Sequence, residues 1–156
     1  MRTTRIAALA AALFACAFAM QALAQETTPA MLAAAAKEGK VVWYTAVDVK
    51  VAEAVAKVFR AEYPQIALEV ERSGSERVFQ RINQEFQSNI HNVDVVNSSD
   101  ASHFLLWKQQ KLLAKHVPPD VQRFAAQYKD PDGYYAVWRA SLSVMACHSR
   151  SGVVLM

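Results

Sequence analysis

Lys40 to Phe59, reading K-V-V-W-Y-T-A-V-D-V-K-V-A-E-A-V-A-K-V-F, is the stretch that most narrows what this chain can become. Val41 to Thr45 is β-branched and aromatic without a polar interruption, the composition of a strand covered on both faces in a parallel sheet. From Val51 the period changes. Val51, Val55, Val58 and Phe59 fall at i, i+4, i+7 and i+8, with Lys50, Glu53, Lys57 and Arg60 on the other faces, which predicts an amphipathic helix resting on that stripe. The turn between the two, Thr45-Ala46-Val47-Asp48, lies at the carboxyl end of the strand, where open α/β sheets place their ligands.

The same unit recurs twice. Tyr63-Pro64 stops the first helix, because a residue before proline is disfavoured in the helical region. Ile66, Leu68 and Val70 then alternate with Ala67 and Glu69, which predicts a half-buried strand. Ser73-Gly74-Ser75 opens a helix whose Val78, Ile82 and Phe86 share a face. Val93 to Val96 predicts a third strand, leading through Asn97-Ser98-Ser99-Asp100 into a helix carrying Ala101, Phe104, Leu105 and Leu112. Three β-α units at this spacing predict an α/β fold, a three-layer, open, mainly parallel sheet with right-handed crossovers and helices on both faces. Downstream, Pro118-Pro119-Asp120 starts a short helix to Tyr128, Asp130-Pro131-Asp132-Gly133 is a turn, and Tyr134 to Val144 reads as extended.

The amino terminus has a different character. Arg2 and Arg5 precede an apolar run from Ile6 to Met20, and Ala22-Leu23-Ala24 supplies a small-x-small cleavage site, so residues 1–24 read as a signal peptide. The run is short for a membrane span. Arg2 and Arg5 leave with the signal, so 17 basic against 14 acidic side chains become 15 against 14. The remaining Lys and Arg are interleaved with Asp and Glu, which excludes a basic face for nucleic acid. Cys16 also leaves, and Cys147 alone can form no internal disulfide. Residues 25–146, with Gln25 to Ala36 a short lead-in helix, form one domain, and residues 147–156 an aberrant tail with neither helical nor strand pattern.

Three strand ends carry polar residues expected to converge on one crevice: Thr45, Ala46 and Asp48; Ser73, Gly74 and Ser75; Ser98, Ser99 and Asp100. The last two sets begin helices, whose free N–H groups and partial positive charge suit an anion. A purely structural role competes at each. Ser73-x-x-Glu76 is a capping-box pattern, and Ser99 or Asp100 is an ordinary N-cap. Arg139, between Trp138 and Ala140 in an apolar stretch, is either paired within the fold or aimed into the crevice. His91, His103, His116 and His148 are scattered without metal-ligand spacing and read as surface or cap residues. Trp43, Trp107 and Trp138 read as core, and adjacent Tyr134 and Tyr135 as packing residues. No catalytic signature is visible.

The combination of a signal peptide, V-V-W-Y-T-A, Y-P-x-I-x-L-E-V, S-G-S-E-R-V-F-Q-R-I, D-V-V-N-S-S-D and P-D-G-Y-Y-A-V-W-R-A resembles the first lobe of periplasmic substrate-binding proteins of ABC importers, in the branch that contains ferric-iron-binding proteins. The likeness covers about Gly39 to Ala146. It implies a type II binding protein, not an enzyme, that works as a monomer in the periplasm and delivers a small anionic or metal-anion solute to an ABC permease of the inner membrane. It also implies ligand contacts at Ser73, Ser75 and Arg139. Iron-binding relatives carry a histidine after the first strand and a glutamate after the third, where this chain has Asp48 and Ser99. That departure weighs against ferric iron, and no other cofactor is implied. Relatives are about twice as long, which implies a truncated or frameshifted chain. An exported α/β enzyme acting on a phosphorylated small molecule, with Asp48 or Asp100 as its base, is the alternative.

Overall fold

The computed structural model describes residues 27–140; the signal peptide and the tail from 147 lie outside them, as do residues 141–144 of the extended segment. The elements are α1 (Pro29–Glu38), β1 (Lys40–Thr45), α2 (Val49–Glu62), β2 (Ala67–Arg72), α3 (Ser75–Gln87), β3 (Val95–Asn97) and α4 (Ala101–Gln109). Two short 3-10 turns, Pro119–Arg123 and Ala126–Tyr128, precede the final described stretch. The three strands form one parallel sheet in the order β2-β1-β3, with Thr45 opposite both Arg72 and Asn97. All three carboxyl ends therefore reach the same rim. The expected α/β architecture is what forms.

β1 is central and buried on both faces, as its unbroken apolar text requires. Val42 and Tyr44 pack with Val78 and Ile82 of α3 and Trp107 of α4, while Trp43 and Val47 pack with Ala52 of α2. The expected stripe on α3, Val78, Ile82 and Phe86, is the one that meets the sheet. Leu68 and Val70 of β2 are half-buried against the α2 side, in keeping with the alternation there.

Four expectations are corrected. α2 buries Ala52 and Ala56 rather than its valine stripe, leaving Val58 65% exposed and Val55 exposed as well. Small side chains let the helix lie close to the sheet; Val51 still packs beside Ala52, while Val55 and Val58, one face over, are carried off it. β3 begins at Val95 instead of Val93, because the Asp94 carboxylate itself accepts the Val42 amide at 2.8 Å in place of a main-chain partner. On α4, Leu105 is exposed; Phe104 packs against the core as expected, but the buried residues are His103 and Trp107, four apart on one face. Trp138 is 51% exposed rather than core.

The last described stretch is held by a clamp. Lys108 Nζ lies 2.6 Å from both Asp130 Oδ1 and Asp132 Oδ2, and Asp130 Oδ2 accepts the Tyr134 amide at 3.0 Å. Burial alone would push the Asp130 carboxyl up, but Lys108 and the Tyr134 amide outweigh it and hold the group below the usual carboxylate range. The expected turn is present, with Gly133 at φ +81° and a Cβ there colliding with the Val117 side chain. Tyr134 to Ala140 then runs without regular structure except for an antiparallel bridge from Ala136 to Lys129. Tyr135 packs on Phe104, and the Tyr134 ring lies under Lys108, so both tyrosines serve packing.

Candidate functional site

Each strand hands its chain to the rim differently. After β1, Thr45 is 0% exposed, and its hydroxyl donates to Asn97 Oδ1 and accepts the Val47 amide, both at 3.3 Å. It is a strut joining the first rim turn to the third. Asp48 is the N-cap of α2 by position, but its side chain makes no capping bond, and its Oδ2 lies 3.7 Å from Arg139 Nη1. That pair spans from the first rim turn to the Tyr134–Ala140 stretch, over 90 residues along the chain. Both groups are accessible, so the contact orients Arg139 without consuming it.

After β2, the capping box expected at Ser73 and Glu76 does not form. Ser73 continues the ladder through its amide to Thr45 O at 3.0 Å, and Gly74, which has no side chain to cap with, occupies the N-cap of α3. Among the described residues the first amides of α3 therefore lack the side-chain acceptor that a capping box would supply. Gly74 has an ordinary φ of −68°, and a Cβ there would meet open space, so it leaves the approach clear without being forced by geometry. Ser75 turns toward the third rim turn instead: its Oγ lies 2.7 Å from Ser99 Oγ and accepts the Ser99 amide at 3.1 Å.

After β3, Asp100 is the N-cap of α4, accepting from Ser102 N at 2.8 Å and Ser102 Oγ at 2.7 Å. Those two bonds hold its carboxyl below the usual range. Ser98 Oγ accepts the Asp100 amide at 3.2 Å and lies 2.8 Å from Nδ1 of His103. His103 is 4% exposed, against the expectation of a surface residue. Its ring stacks on Phe79 at 4.3 Å, and Nε2 faces Glu76 at 3.6 Å and Asp100 at 3.9 Å. Those carboxylates stand beyond hydrogen-bond distance, so the set is not assembled as a serine-histidine-acid relay.

Ala46, Asn97, Ser98, Ser99 and Arg139 all border one groove of about 890 Å³, whose deeper wall is apolar, with Ile82, Phe86 and Trp107. The structure thus gathers the Ser75–Ser99 pair, Ser98 and the Asp48–Arg139 pair at one end of the sheet, with the amino ends of α3 and α4 directed there. Glu76 and Asp100 supply negative charge at the same place. Sequence reading missed His103 and Arg72, whose Nε donates to Val47 O at 3.1 Å and braces the first rim turn. The four-residue spacing of His103 and Trp107 was the signal available for the first; nothing local marked the second.

No family model matches the chain, and no curated protein does either. Among solved structures it is similar to the crystal structure of iron-bound HitA from Pseudomonas aeruginosa, with a TM-score of 0.53 and 18% identity over 60% of this chain. The chain spans about 30% of that protein's length. At that identity the likeness carries the fold.

Proposed function

We propose that this chain is an amino-terminal lobe of an exported type II solute-binding receptor, which presents a small anionic solute to an ABC permease in the inner membrane. The observation that carries this reading is the convergence at one rim of an uncapped helix amino end at Ser75, the Ser75–Ser99 hydroxyl pair and Arg139. An anion there would accept from the first amides of α3 and from the serine hydroxyls, with the Arg139 guanidinium opposite. Likeness in fold to an iron-bound protein supports a binding role over catalysis. The metal belongs to that protein and is not carried over to this chain. The enzyme alternative is not favoured: Asp100 is engaged by Ser102, and Asp48 faces Arg139.

The described rim covers a solute from one side only, whereas tight sites bury most of a ligand's surface. Binding in the millimolar range is expected. A titration of the full chain with inorganic sulfate, followed by amide chemical shifts, should move Ser75 to Arg77 and Ser98 to Ser102 first. Absence of movement at those amides up to about 50 mM, well above a 1 mM dissociation constant, overturns the reading. Sub-micromolar affinity would overturn the one-sided geometry behind it.

A further inference from the structure

We propose that His103 is a proton-operated positioning residue for this rim: a proton taken up by its ring frees the Ser98 hydroxyl to donate into the groove and sets a cation between Glu76 and Asp100, so anions are held more tightly in acid. The inference rests on the anion reading above.

The ring has little freedom. Stacking on Phe79 and contact with Trp107 at 5.8 Å fix its plane, which directs Nδ1 to Ser98 Oγ and Nε2 to the two carboxylates. In the neutral ring the proton belongs on Nε2, facing Glu76 and Asp100, and the bare Nδ1 then accepts the Ser98 hydroxyl. Ser98 has a single hydroxyl proton, and the imidazole takes it. When Nδ1 is protonated the direction reverses. Ser98 Oγ now accepts from both His103 Nδ1–H and the Asp100 amide, which lies 3.2 Å away, so its own proton must turn elsewhere. Ser98 borders the groove beside Ser99 and Arg139, and the groove is where that proton can find an acceptor.

Charge acts in the same direction. The groups facing the ring are Glu76 from α3, Asp100 and Ser98 from the turn before α4, and the uncharged rings of Phe79 and Trp107. With a neutral ring, two carboxylates border a site meant for an anion. With a charged ring, one of them is offset from behind by a cation that is itself buried, while both carboxylates are more than half exposed and solvent weakens the effect. Binding and protonation are then linked: acid strengthens anion binding, and a bound anion raises the pH at which the ring titrates.

The test uses the full chain and sulfate, which stays doubly charged across the range, at constant ionic strength. Affinity is expected to rise roughly tenfold from pH 8 to pH 5.5, and sulfate should shift the His103 ring titration to higher pH. His103→Gln, which leaves an uncharged amide beside Ser98 that takes up no proton, should bind sulfate equally at both pH values. Ser98→Ala should keep only the part due to charge, giving a smaller ratio than the wild type. Equal wild-type affinity at the two pH values, or an undiminished ratio in His103→Gln, overturns the inference while leaving the anion reading intact. A Ser98→Ala ratio equal to that of the wild type overturns the hydroxyl step. Failure of the wild type to bind sulfate at either pH overturns the anion reading and this inference together.

Discussion

On one face of β1, Val42 and Tyr44 meet a thick layer: Val78 and Ile82 of α3, the indole of Trp107, and the rings of Phe79, Phe86 and Phe104. On the other, Trp43 and Val47 meet Ala52 and Val51 of α2 with Leu68 and Val70 of β2, and Val55 and Val58 of that helix stand in solvent. The thick face carries α3 and α4, whose amino ends form most of the rim, and it encloses His103. The thin face contributes one rim turn and the Asp48–Arg139 contact. Burial of large apolar surface and precise placement of polar groups therefore coincide on one side of the sheet. A strand that looks uniformly apolar in the sequence has two unlike supports.

The largest effect that would break this contrast is Trp107→Ala. The indole is 1% exposed, touches Phe104 edge-on at 5.4 Å, and donates from Nε1 to Asn83 Oδ1 at 3.2 Å. Its loss should cost about 3–5 kcal/mol in urea unfolding and abolish sulfate-induced shifts at the rim. A cost below about 1 kcal/mol would mean the thick face is not what holds the lobe together. Ala56→Leu probes the thin face by overfilling it, because α2 lies close to the sheet only while that side chain is small. A loss of about 2 kcal/mol is expected, and a gain would show that the face is under-packed rather than tightly apposed.

Acid adds a sharper distinction. The Asp130 carboxyl, held low by Lys108 and the Tyr134 amide against the effect of burial, fastens α4 to the stretch bearing Arg139. A depressed folded-state value stabilises above the unfolded value near 4 and is lost as pH falls through the folded one. Thermal melts of Asp130→Asn between pH 5 and pH 3 should thus show a smaller decline than the wild type. An equal decline would move the acid sensitivity to other groups. The smallest effect belongs to Val58→Gln, expected within about 0.5 kcal/mol. A loss above about 1 kcal/mol would place the valine stripe of α2 in a contact and undo the contrast.

Much of the fold was legible because the signals were long and agreed. The apolar run of β1, the alternation of β2 and the α3 stripe all point the same way, and three units at one spacing leave little besides a parallel sheet. The rim was legible through turn composition at the strand ends. What stayed hidden depended on tertiary contact. Alanine carries too little hydrophobic signal for Ala52 and Ala56 to outweigh three valines, yet its size decides which face of α2 can approach the sheet. The serine-glutamate pattern at Ser73 satisfied a local capping rule, but the chain enters the helix two residues later, and Ser75 finds Ser99 across the rim instead. His103 looked like one of four scattered histidines because its partners come from α3 and the turn before α4.

The outer edge of β3 has a consequence of another kind. Among the described residues β3 pairs with β1 alone, and Val95 on it is 51% exposed. Proteins commonly guard a bare strand margin with lysine, proline or a covering element, since the unpaired amides and carbonyls there template further strands. The three residues of β3 are valine, valine and asparagine, with no such guard. Colloidal behaviour is thereby tied to the same margin that borders the groove: whatever extended backbone settles alongside Val95 completes the sheet, and in a crowded solution neighbouring copies compete for that place.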